Sequence, residues 1–157
     1  MKRVDFLLAG AAGFSLTAVG AALVSQHVFN MQPCAWCVLQ RVIFVAIAAA
    51  AVVGLLWRLP LGRRVASGLM LLLALCGMAA ALWQHFVAAS SASCDLTLAE
   101  RIVGALGLDE RYPDVFMAMA SCADAAVKLL GVQYDLWSLA LFAALGAAAF
   151  SLLRRPA

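Results

Sequence analysis

Residues 38–57 read VLQRVIFVAIAAAAVVGLLW, twenty positions with Arg41 as the single charge. At a helical rise of about 1.5 Å per residue such a run covers the roughly 30 Å hydrocarbon core of a bilayer. Three further stretches meet or approach the same length, at 6–28 before it and at 65–87 and 136–153 after it. Of 157 residues, 66% are hydrophobic and only 12% charged. That is about half the charge of an average soluble domain, and one domain of this size cannot hide so much apolar surface in its interior. The composition argues against a water-soluble enzyme and excludes a disordered chain. It also excludes a nucleic-acid-binding module, because the net charge of +3 comes from scattered basic residues rather than from a basic face. The expected fold is an all-α membrane protein: a single domain over 1–157, built as a four-helix transmembrane bundle with short helices in its loops.

The first apolar run has some marks of a signal peptide, since Lys2 and Arg3 precede it and residues 18–22 resemble a cleavage site. Its length, the acidic Asp5 and the three spans that follow favour a retained helix. Orientation follows from the basic residues near the span ends. Lys2, Arg3, Arg58, Arg63, Arg64, Arg154 and Arg155 fall on one side, while the other holds Arg101, Arg111 and Lys128 against seven acids. Both termini are therefore expected in the cytoplasm. The loops at 29–37 and 88–135 are expected on the opposite face.

Within the long loop, Thr97-Leu98-Ala99-Glu100 reads as a capping box, and Leu98, Ile102 and Leu106 repeat at helical spacing until Gly107. A short helix lying on the membrane surface is expected there. Ser121-Cys122-Ala123-Asp124 is expected to start a second short helix running to Gly131, with Pro113 at a turn or first helical position between the two.

Four of the five cysteines, Cys34, Cys37, Cys94 and Cys122, lie in these loops. Cys34-Ala35-Trp36-Cys37 directly precedes a helix, whose positive dipole end stabilises thiolates and favours exchange. A bracing disulfide and, with Cys94 and Cys122, a zinc site remain alternatives to redox activity. Closing a loop between Cys94 and Cys122 would stabilise it by roughly 3 kcal/mol in the chain-entropy picture. Two such pairs on one membrane face can also exchange electrons as a relay.

Arg41 stands four residues after Cys37, on the same helix face and about 6 Å further along the axis. It either snorkels to the interface or stabilises the Cys37 thiolate and charge developing on a quinone oxygen. His85, near the outer end of the third span, could supply a proton or hydrogen bond to the same pocket; His27 has a weaker case. Trp36 and Trp137 read as interfacial anchors, Met70 and Met78 as packing residues. Ala50-x-x-x-Gly54 permits close helix contact without naming a partner. Cys76, mid-way along the third span, reads as a buried thiol behaving as a small hydrophobe.

Taken together, the chain resembles the DsbB family of membrane disulfide-forming proteins. The residues that carry the resemblance are Cys34-Ala35-Trp36-Cys37 with Gln40-Arg41, Gln84-His85, Cys94-Asp95, Cys122-Ala123-Asp124, Leu130-Gly131 and Trp137, in that order around four spans. The resemblance implies a bacterial inner-membrane protein with its active loops in the periplasm. It implies reoxidation of DsbA, a soluble thioredoxin-like oxidase, with delivery of electrons to membrane quinone, ubiquinone or menaquinone. By position, Cys94 would form the mixed disulfide with DsbA and Cys122 would be its loop partner. Cys34 would receive attack from Cys122, and Cys37 would face quinone beside Arg41. Gln40 stands where an acid can occur in relatives. A vitamin K epoxide reductase-like protein uses related chemistry, but its quinone-facing Cys-x-x-Cys comes after the loop pair, whereas here it comes first. A structural membrane protein with two bracing disulfides is the alternative from another class.

Overall fold

The structure is a computed structural model, described over residues 2–90 and 97–154; Cys94, Asp95 and Arg155 lie outside the described residues. Four helices have the length and apolarity to cross a membrane: α1 (Lys2–His27), α2 (Ala35–Leu56), α3 (Pro60–Phe86) and, last in the chain, α7 (Tyr134–Leu153). Each packs on its neighbour in sequence, and a smaller α1–α7 contact closes the ring. Three short helices, α4 (Leu98–Ala105), α5 (Leu108–Arg111) and α6 (Pro113–Phe116), cover the loop end of the bundle.

All four long helices begin before the apolar runs do. Capping governs these ends rather than hydropathy: Pro60 starts α3, where its missing N–H costs nothing, and Gln133 in extended conformation launches α7.

Lipid tails are as apolar as leucine side chains, so close packing rather than water exclusion holds such helices together. Small residues set that closeness. A Cβ on Gly54 of α2 would stand 2.9 Å from the Cβ of Ala66 on α3, so the Ala50–Gly54 face has its partner there. A Cβ on Gly77 would meet the Phe142 ring at 2.5 Å, and that ring stacks on Phe44 with centroids 4.1 Å apart. Met70 is fully buried beside this layer and Met78 packs against it in part. At the far end of the bundle Asp5 forms an ion pair with Arg63, which ties α1 to α3.

Two side chains lie on the face opposite to the one expected. Trp36 is buried and packs at 6.3 Å against Trp83 instead of anchoring at the interface. Cys76 is exposed on the outside of the bundle rather than buried within it. Both helices are apolar all round, so hydropathy could not fix their rotation.

In the loop, Thr97 and Glu100 form the reciprocal capping box at the start of α4. Ala99 and Val103 face the protein, whereas Leu98, Ile102 and Leu106 turn away from it. Pro113 is the first residue of α6. The second loop helix expected from Ser121 is corrected. One turn closes on the Ser121–Asp124 hydrogen bonds and then gives way to a hairpin of β1 (Lys128–Leu129) and β2 (Val132–Gln133). Leu130 (φ 54°) and Gly131 (φ 83°) form its two-residue turn, and positive φ at both positions is the geometry that matches strand twist.

Candidate functional site

Cys34 is the N-cap of α2, in extended conformation after Pro33, and its carbonyl accepts the amide of Val38 at 3.0 Å. One turn of helix therefore carries both cysteines of the pair, and their sulfurs stand 3.2 Å apart. Pro33 has a second consequence. Its carbonyl accepts the amides of Met119 and Ala120, at 2.9 and 3.3 Å, and so pins the distal loop against the start of α2. The next residues bring Cys122 to Cys34, which is fully buried beneath this strap.

The hydrogen bond between these two thiols divides their acidities. Donating to Cys122, and next to Cys37, holds the buried Cys34 thiol well above the ordinary cysteine value. Accepting that bond pulls Cys122 below it, against the opposing effect of burial. The bond thus favours thiolate character on Cys122 over Cys34.

Arg41 is buried at 5% exposure and does not snorkel. Its guanidinium donates to the Gln26 side chain at 2.7 Å and to the carbonyls of Val115 at 2.9 Å and Ala22 at 3.4 Å, while Nε has no partner among the described residues. Gln26 in turn donates to the carbonyl of Asp114 at 3.3 Å. Arg41 and Gln26 thus fasten the start of α6 onto α1 and α2.

Beside Arg41 and Cys37 lies a largely apolar cavity of about 190 Å³, walled by Ala18 and Ala22 of α1, Phe44 of α2 and Trp137 and Leu141 of α7. Trp137 is fixed there by donating to the carbonyl of Leu129 at 3.1 Å. His85 is not in the cavity wall. Its Nδ1 meets the Asp135 carboxylate at 2.8 Å, and Asp135 itself lines the cavity, as does Gln84. Gln84 donates to the Cys37 sulfur at 3.2 Å and accepts from Gln40 at 2.8 Å. His27 is exposed at the end of α1 and does not line the cavity.

The structure therefore brings together Cys34, Cys37, Cys122 and Arg41, places His85 behind Asp135, and leaves Cys94 outside the described residues. Sequence reasoning named Gln84 within the family pattern but gave it no role, and it gave none to Asp135 and Gln26. A signal for them existed: polar side chains at the ends of apolar spans need partners once no water is at hand.

The sequence profile of the family described as "Disulfide bond formation protein DsbB" matches residues 3–152. Relatives named "Disulfide bond formation protein B" include one from Dechloromonas aromatica, 31% identical over 98% of this chain and 93% of its own length. Another from Ralstonia nicotianae is 36% identical over 88% of this chain and 85% of its own. A third, from Aromatoleum aromaticum, is 34% identical over 77% of this chain and 75% of its own.

Proposed function

The chain belongs to the DsbB family of disulfide bond formation proteins, and from that premise we propose that it reoxidises a DsbA-like periplasmic thiol oxidase and passes the electrons to membrane quinone. The observation that carries the proposal is the position of the Cys34–Cys37 pair, with the loop thiol Cys122 on one side and the Arg41-lined cavity on the other. On this reading Cys94 and Cys122 form the disulfide that meets the soluble partner, and Cys34–Cys37 the disulfide that meets the acceptor.

The cavity fits a quinone head group in its chemistry. Its walls are apolar, and Arg41 offers a buried Nε–H with no partner among the described residues, a donor suited to a carbonyl oxygen. Bound there, a quinone supplies a two-electron acceptor. Arg41 orients it and offsets negative charge. Phe44, Trp137 and Leu141 exclude water. The Asp135 carboxylate at the cavity wall and His85 Nδ1 behind it share a hydrogen bond through which a proton can be relayed.

Orientation in the inner membrane follows from the basic residues. Reporter fusions after Arg64 are expected to report cytoplasm, and fusions near Asp109 periplasm. A periplasmic reading at Arg64 would put the cysteine pairs in the reducing compartment and overturn the proposal.

The central test adds reduced DsbA to purified protein supplied with ubiquinone or menaquinone. Quinone reduction matched by loss of DsbA thiols is the expected result. Loop cysteines that stay oxidised and answer to neither reactant would leave only bracing disulfides.

A further inference from the structure

Two neutral amides are buried against the sulfur at the centre of the site: Gln40 is 3% and Gln84 4% exposed. Gln40 Nε2 donates to Gln84 Oε1 at 2.8 Å, which fixes the orientation of the Gln84 amide and leaves its amino group to donate to Cys37 Sγ at 3.2 Å. Gln84 arrives from α3. Among the described residues, Cys34 and Arg41 of α2, Tyr134 and Asp135 of α7 across the cavity, and Cys122 of the loop also face Cys37, and α1 adds the uncharged Ser25.

We propose that Gln84 is a catalytic residue whose amide steadies the Cys37 thiolate when the Cys34–Cys37 disulfide is opened, and that Gln40 is the positioning residue that aims it. The inference rests on the exchange chemistry proposed above. In that step the Cys122 thiolate attacks Cys34 Sγ, the Cys34–Cys37 bond breaks, a Cys122–Cys34 bond forms, and the electron pair departs on Cys37 Sγ. No proton moves to Cys37. The leaving sulfur gains a full charge in a place without bulk water, and a hydrogen bond to a charged acceptor is among the strong ones. An amide suits this task better than an acid, because a carboxylate at position 84 would repel the departing thiolate.

If the two amides merely satisfied one another between α2 and α3, the sulfur would be indifferent to them. The test uses the full-length, fully reduced protein in detergent without quinone or DsbA. Iodoacetamide is applied across a pH series, and modification of the Cys37 peptide is followed by mass spectrometry. Gln84→Leu is expected to move the half-modification pH of Cys37 upward by about one unit, equivalent to about tenfold in thiolate population. Gln84→Glu is expected to move it further. Gln40→Leu removes the donor that aims the Gln84 amide and adds no charge, so it should shift the profile in the same direction and by less.

A Cys37 profile unchanged in Gln40→Leu and Gln84→Leu would overturn the inference, and Gln40→Leu alone decides if Gln84→Leu does not fold. The outcome is separable from that of the proposed function. A shifted profile in protein that transfers nothing to quinone removes the electron-transfer reading and leaves the Gln84–Cys37 contact, while an unchanged profile in protein that turns over removes only the role of Gln84.

Discussion

Arg41→Ala is expected to lower the rate of quinone reduction by about 100-fold, the typical loss when a preorganised donor to developing charge is deleted. Two effects combine. The cavity loses its cation and the Nε–H that has no partner among the described residues, and Gln26 and the Val115 carbonyl lose the donor that holds the start of α6 to the bundle. They separate in the Lys variant. Arg41→Lys retains a charge but has neither the planar fork nor a second direction for donation, so it can serve the acceptor or the loop but not both. An intermediate rate with a raised apparent KM for quinone is expected. In the proposed relay, formation of the mixed disulfide between DsbA and Cys94 should be nearly unaffected in both variants, since Arg41 acts on the acceptor side. Measuring quinol formation and mixed-disulfide formation side by side checks the assignment. Undiminished quinone kinetics in Arg41→Ala would leave Arg41 as a brace for the loop and nothing more.

How far the sequence carries is clearest where one physical quantity decides. Twenty apolar residues at helical rise match a bilayer, so the four spans are legible, and so is the capping box at Thr97, whose partners lie three residues apart. Helix rotation is not legible in such spans. Trp36 turns inward onto Trp83 and Cys76 turns outward because a helix apolar on every side gives no hydropathic sign of its buried face. The hairpin after Val127 was hidden for another reason: its strands are two residues long, too short for alternation to show, and its turn is Leu130-Gly131 rather than an Asn-Gly pair. At the site, the residue types of the Cys-x-x-Cys pair and of Arg41 pointed to chemistry by themselves. Gln84 and Asp135 did not, because their meaning lies in what they touch, the Cys37 sulfur and His85. The strap from Pro33 to Met119 and Ala120 was also beyond reach, since backbone hydrogen bonds between distant segments leave no mark in side-chain identity.

The relay itself makes the largest predicted effect, because each of its cysteines is a covalent station. In the proposed relay a soluble partner meets the Cys94–Cys122 disulfide first, and attack at Cys94 releases Cys122. The freed sulfur needs no large movement to continue, since the Pro33 strap holds its segment against the start of α2 and sets Cys122 beside Cys34. When both thiols are reduced, the Cys34 hydrogen bond holds Cys122 below the ordinary cysteine value, so Cys122 has the larger thiolate fraction of the two, and that fraction is lost as pH falls through the lowered value. Cys34, held above the ordinary value, keeps its proton when reduced and is the poorer nucleophile of the two. Cys122→Ser is therefore expected to stop turnover and to accumulate a covalent complex at Cys94 when DsbA carries a single reactive cysteine. Cys37→Ser is expected to abolish electron transfer to quinone while Cys94 still captures DsbA. Cys76→Ser, on the outer surface of α3, should turn over almost normally. Peptide mapping of the trapped complex decides the direction: a DsbA link at Cys34 or Cys37 in place of Cys94 would reverse the order of the relay, because the soluble partner would then have reached the pair at the start of α2 first.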